Sequence, residues 1–184
     1  MSAQAEFLNV LIQHYLNRPL IGIEVGTASG IWTQYMLKNG YIDHLYTIDP
    51  YKHFPGEAYE GGRPPEWHDK IKASADKKLN AAENLTRLEM TSEEAYDWFV
   101  LKNIEADFVY IDGNHNEEYI KYDIWHYWNL VNDIGILAGH DYNLKQVRKA
   151  VEDFFGPKHN VIQSERVWWV QKSKNIKTGN LLTT

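Results

Sequence analysis

Cysteine is absent from this 184-residue sequence. Its absence excludes disulfides, thiolate nucleophiles and thiolate-held metals, and it fits a reducing compartment. Long apolar runs are missing too. Nothing approaches the roughly 20 residues of a membrane-spanning helix, and residues 1–7 lack the basic and apolar segments of a secretion signal. The expectation is a cytoplasmic chain that does not engage a membrane. Basic residues are few and scattered at a net charge of −6, so the cationic stripe that nucleic-acid binding requires is lacking. No Gly-Lys-Ser/Thr sequence occurs, which removes a phosphate-binding P-loop. Aromatic residues, in contrast, reach 14%, including Trp 7 and Tyr 12. Most are read as core, with some left to line a pocket.

The length suits a single domain spanning 1–184. Phe7, Leu8, Leu11, Ile12, Tyr15 and Leu16 recur at helical spacing, predicting an N-terminal helix within 1–18 that ends before Pro19. Leu20 to Val25 reads as a buried strand, Ile31 to Lys38 as a helix and Leu45 to Ile48 as a second strand. Residues 51–66 carry three Gly and three Pro and read as an active-site loop. A helix over Trp67 to Asn80 and a strand over Leu85 to Glu89 follow. Thr91 with Glu94 then reads as a capping box that opens a helix through Leu101. Phe108 to Ile111 is a fourth strand, and Ile120, Ile124, Tyr127, Trp128 and Val131 mark a helix face. Ile134 to Ala138 is a fifth strand, Val147 to Phe155 a helix, and Val161 to Gln171 two β runs before a frayed tail at 172–184. This alternation predicts a doubly wound, mainly parallel seven-stranded α/β sheet with helices on both faces.

In such sheets ligands bind beyond the carboxyl ends of the strands. After the first strand comes Glu24, Val25, Gly26, Thr27, Ala28, Ser29 and Gly30. This small-residue bend brings backbone close to a ligand, or else is simply a tight turn. The dinucleotide fingerprint fails, because counting from Gly26 gives Gly26, Ala28 and Ile31 where three glycines are needed. Asp49 ends the second strand and offers a carboxylate to ribose hydroxyls, or a turn before Pro50.

Gly26, Ala28 and Gly30 behind Glu24 resemble the first motif of class I S-adenosylmethionine-dependent methyltransferases. The segments Asp107 to His115 (Asp112-Gly113-Asn114-His115) and Gly135 to Tyr142 (Gly139-His140-Asp141-Tyr142) resemble methyltransferase domain family 24. With the closing helix and strand, the resemblance covers roughly residues 20 to 171. It implies S-adenosyl-L-methionine as cofactor, with S-adenosyl-L-homocysteine as product. The cofactor would be held by Glu24, Gly26, Thr27, Ala28, Ser29, Gly30, Asp49, Thr91, Ser92 and Asp112. The acceptor implied is a small molecule, a sugar or another hydroxylated metabolite, methylated on oxygen. A homo-oligomer is compatible with it.

Asp112 and Asp141 are expected at the ends of neighbouring strands, about 5 Å apart. A divalent ion between them, Mg²⁺ being the natural candidate, would relieve their repulsion and acidify a hydroxyl, as in the metal-dependent O-methyltransferases that the arrangement resembles. Position 142 departs from those relatives, which often supply Asn where this chain has Tyr142; Asn143, His140 or His115 are the alternatives. His115 and His140 are also candidate general bases. Tyr51, Trp67, His68 and Tyr142 are assigned to the substrate side, with Phe54 and Tyr59 nearby in the loop. Competing readings are a cofactor-binding protein without catalysis, a cephalosporin hydroxylase-like enzyme, and a nicotinamide-dependent Rossmann oxidoreductase.

Overall fold

The computed structural model describes Phe7, Leu11 and residues 19–39, 42–55, 57, 61–162 and 166–173. Its strands are β1 (Leu20–Val25), β2 (Ile42–Ile48), β3 (Leu85–Leu88), β4 (Ala106–Ile111), β5 (Val131–Gly139), β6 (Asn160–Ile162) and β7 (Val167–Gln171). The helices between them are α1 (Ile31–Asn39), α2 (Pro65–Leu79), α3 (Ser92–Lys102), α4 (Glu117–Leu130) and α5 (Lys145–Phe155). One seven-stranded sheet runs β3-β2-β1-β4-β5-β7-β6. Strands β1 to β5 pair in parallel, while β7 is antiparallel to both β5 and β6. Strand order reverses between β1 and β4, and that is where a cleft must open.

All six residues of β4 are buried, as expected for a central strand covered on both faces. Phe108 and Tyr110 pack with Phe7, Leu11 and Met36 on one face, whereas Val109 and Ile111 pack with Phe99, Ile124, Tyr127 and Val151 on the other. Phe7 and Leu11, from the segment expected to form an N-terminal helix, are helical and fully buried. The rest of that segment, Tyr59 in the loop and most of the tail lie outside the described residues. No described helix is long and apolar enough to cross a membrane.

Several boundaries differ from the sequence reading, and three of them have a clear physical reason. Helix α2 starts at Pro65 rather than Trp67, because proline suits the first helical position, where no amide is needed. Val131 opens β5 instead of closing the helix face. Strand β5 is accordingly longer, and Ile134, at φ 65°, lies within a register shift against β4. Strand β2 begins three residues early, at Ile42, on the pairing that Leu20 offers. The capping box is present: the Glu94 amide donates to the Thr91 hydroxyl (3.3 Å) and the Thr91 amide to the Glu94 carboxylate (2.8 Å). Replacing Thr91 with Ala is expected to cost about 1 kcal/mol. A urea unfolding midpoint unchanged from wild type would show that the cap contributes nothing.

Candidate active site

The site is built on the bend after β1. Gly26 has φ 98°, and a Cβ placed there would lie 2.1 Å from the Asp112 carbonyl oxygen, so only glycine lets the ends of β1 and β4 meet. The Asp112 amide donates to Val25 O (2.7 Å), and the Gly26 and Thr27 amides both donate to Ile48 O (2.9 and 3.2 Å). The bend is thereby tied to β4 on one side and to β2 on the other. Gly30, at φ 73°, packs against Leu79 and Ala75 of α2, and Lys78 Nζ donates to Ser29 O (2.9 Å).

Beneath the bend, Glu24 is 1% exposed and accepts hydrogen bonds from the hydroxyls of Thr33 and Thr47, each at 2.6 Å. Thr27 bonds Thr47 in turn. Burial pushes the Glu24 carboxyl up to about 7 against the pull of those two hydroxyls. Glu24 lines neither of the cavities described below, so its expected contact with a cofactor is replaced by a buried brace between β1, α1 and β2.

At the end of β2, the Asp49 carboxylate accepts the amides of Ala28 (2.8 Å) and Tyr51 (2.9 Å). Tyr51, at φ 44°, folds back over the bend, and its hydroxyl donates to Ala28 O (3.0 Å). Arg87, paired with Asp76 at 2.6 Å, lies over its ring. Burial, with Asp49 nearby, raises the phenol to about 12, so it stays neutral.

At the ends of β4 and β5, His115 Nε2 lies 2.8 Å from Asp141 Oδ2. His140 Nδ1 lies 3.2 Å from Asp141 Oδ1 and 3.7 Å from Asp112 Oδ1. Hydrogen bonds from His115 and then His140 hold the Asp141 carboxyl well below the usual carboxylate range. Asp141 has φ 53°, a left-handed conformation that Asp tolerates better than most residues. Ligand atoms of Asp112, His115 and Asp141 all lie within 4.8 Å of one another, a spacing that could hold a metal ion.

Two cavities flank this cluster. The larger, about 520 Å³, runs from the bend across the ends of β2 and β3 past Asp49, Tyr51, Trp67, His68, Thr91 and Ser92. The smaller, about 390 Å³, holds Thr27, Ser29, His140 and Asp141 and is walled by Ile31, Trp32 and Tyr35 of α1. Gly26, Ala28, Asp112 and His115 border both chambers. The structure thus gathers most of the predicted residues, but it does not bring Gly30 or Tyr142 to either cavity. Tyr142 is 5% exposed, and its hydroxyl bonds His159 (2.6 Å) and Glu152 (3.1 Å).

Sequence reading passed over Trp32 and Tyr35, which stack at 5.5 Å and whose i,i+3 spacing was a usable signal. It also passed over Asp123, a carboxylate on the face of α4 that Ile120, Ile124 and Tyr127 bury. Glu57 was missed as well; its carboxylate accepts the Asn114 amide at the border of the larger chamber.

A family model described as a methyltransferase domain, number 24 of its series, matches residues 23–142, well over half of the chain. The chain belongs to this methyltransferase family, which removes the nicotinamide-dependent reading. Among curated proteins, no sequence matches it. Solved structures share the fold at low identity. CalS11, a calicheamicin methyltransferase, aligns with TM-score 0.65 and 13% identity, covering 90% of this chain and 77% of its own. The N-methyltransferase NodS from Bradyrhizobium japonicum WM9 gives 0.55 and 11%, covering 94% and 97%. SMU.776, a candidate methyltransferase complexed with SAH, gives 0.60 and 13%, covering 91% of this chain but 49% of its own. The chain therefore spans about half the length of that last protein.

Because the Glu24 carboxyl rises from 4.5 to about 7 on folding, its neutral form favours the native state. That contribution is full below pH 4.5 and is lost as pH climbs through 7, on the order of 3 kcal/mol. Glu24→Gln is expected to flatten the fall in unfolding free energy between pH 5 and pH 8. Equal slopes for the two proteins in urea titrations would contradict this.

Proposed function

We propose that this chain transfers a methyl group from S-adenosyl-L-methionine to a hydroxyl oxygen of a small molecule. One observation carries the reading: a nucleoside-sized chamber and a polar chamber meet at Gly26, Ala28, Asp112 and His115. The larger chamber suits the cofactor. Its apolar lining includes Ile48, Ile71 and Trp67, with Asp49 placed for ribose hydroxyls and Thr91 and Ser92 toward the base. The bend supplies the close backbone approach that a bulkier residue at 26 would close off. Neither a phosphate cradle nor a second glycine fingerprint is needed, since this cofactor carries no pyrophosphate.

The acceptor belongs in the smaller chamber, against the stacked Trp32 and Tyr35. An aromatic wall facing acids and imidazoles suits a sugar or another hydroxylated metabolite. CalS11, which shares the fold, is a TDP-rhamnose 3'-O-methyltransferase. The reaction is an in-line displacement. The acceptor oxygen bonds to the methyl carbon, the carbon–sulfur bond breaks, and its electron pair leaves on sulfur as the thioether of S-adenosyl-L-homocysteine. The acceptor proton passes to one of the two histidines, His115 or His140, that Asp141 orients. Asp141 stays ionised throughout and stabilises the imidazolium that results. Positioning supplies most of the remaining acceleration.

Were a divalent ion bound, Asp112, His115 and Asp141 would hold it, which leaves His140 to take the proton. Two carboxylates fit the preference of Mg²⁺ for oxygen, and the bound ion would lower the pKa of an acceptor hydroxyl. In this reading the chain works as a single domain in the cytoplasm on a diffusible acceptor.

Isothermal titration with S-adenosylhomocysteine, with and without Mg²⁺, tests the cofactor assignment, followed by acceptor screening for the mass gain of one methylene. Binding of NAD with silence toward S-adenosylhomocysteine would overturn it. Asp141→Ala is expected to lower turnover by about 100-fold or more while leaving S-adenosylhomocysteine affinity near wild type. Unchanged turnover would remove the cluster from the mechanism.

A further inference from the structure

Asp123 is a buried carboxylate that the chemistry above does not use. It lies within α4, 1% exposed, between Ile120 and Tyr127 on the face that packs inward. Asp123 is among the residues that border the larger chamber. The Ser92 hydroxyl engages the carboxyl group, yet Asp123 Oδ1 has no hydrogen-bond partner among the described residues. His68 borders the same chamber, is 6% exposed, and its Nε2 likewise has no partner there. Buried polar atoms without partners are costly and uncommon in native proteins. Two of them in one chamber call for a ligand that offers both donors and acceptors.

Sheet order says which part of the ligand this is. A ligand with its sulfur at the β1/β4 junction and its ribose at Asp49 after β2 reaches the end of β3 with its base. Ser92, just after β3, is the residue that touches Asp123. Of the groups at that end, only the base combines an exocyclic amine with ring nitrogens.

Resting on the S-adenosylmethionine reading, we infer that Asp123 accepts a hydrogen bond from the 6-amino group of the adenine and so sets the preference for adenine over a 6-oxo purine. A 6-oxo base would turn a carbonyl oxygen toward the carboxylate. Burial lifts the Asp123 carboxyl to about 7, so the comparison belongs at pH 8, where the ionised form dominates.

The test is titration of the full-length protein at pH 8 with S-adenosylhomocysteine and with S-inosylhomocysteine. Wild type is expected to favour the adenine compound by about tenfold or more. Asp123→Asn, whose amide can face either base, is expected to bring the two affinities within about threefold of each other. Circular dichroism and melting temperature establish that the variant is folded. A folded Asp123→Asn protein that keeps the wild-type ratio would overturn the inference. So would equal affinities in wild type, a result that needs no variant. Failure of wild type to bind either compound would instead overturn the cofactor reading on which the inference rests.

Discussion

Everything in the site depends on how closely the backbone after β1 approaches the backbone after β4. The missing side chain at Gly26 lets the bend press against the Asp112 carbonyl, while the Asp112 amide bonds Val25. Any side chain there would force the strand ends apart by more than this packing tolerates. With the strand ends together, Asp112 and His115 lie where the two chambers join, and the Asp141 cluster is one strand further on. The reversal of strand order at this point opens the cleft, and the glycine sets its width.

Electrostatics divides the carboxylates of the site by environment. Asp141, faced by two imidazoles, is held ionised. Glu24 and Asp123, buried with little but hydroxyls to meet them, are both pushed up to about 7. The same residue chemistry thus gives one charged anchor at the polar chamber and two interior carboxyls that titrate near neutrality. This division follows from solvent access and partner charge.

Much of the fold was legible in the residues. The short β runs, Gly26, the Thr91 capping box and the helix faces each act through local rules, and their order along the chain specified a mainly parallel sheet. Boundaries failed where tertiary contacts overrode local pattern. Val131 satisfies a helical face by spacing but pairs with Ala106, and Ile134 takes a left-handed conformation that no propensity would choose. In the site, residues next to strand ends were readable because topology gathers them. Tyr142 was misplaced because its neighbour Asp141 takes the turn, which leaves the tyrosine to His159 and Glu152. Glu24 and Asp123 depend on which side of a wall a carboxylate falls, and one-dimensional pattern does not carry that.

The decisive measurement is a crystal structure of the protein with S-adenosylhomocysteine bound. The ribose is expected against Asp49, the base beside Ser92, and the thioether sulfur at the join between Gly26 and Asp112. A nucleoside seated outside the larger chamber, or reversed with its base toward His140, would contradict it.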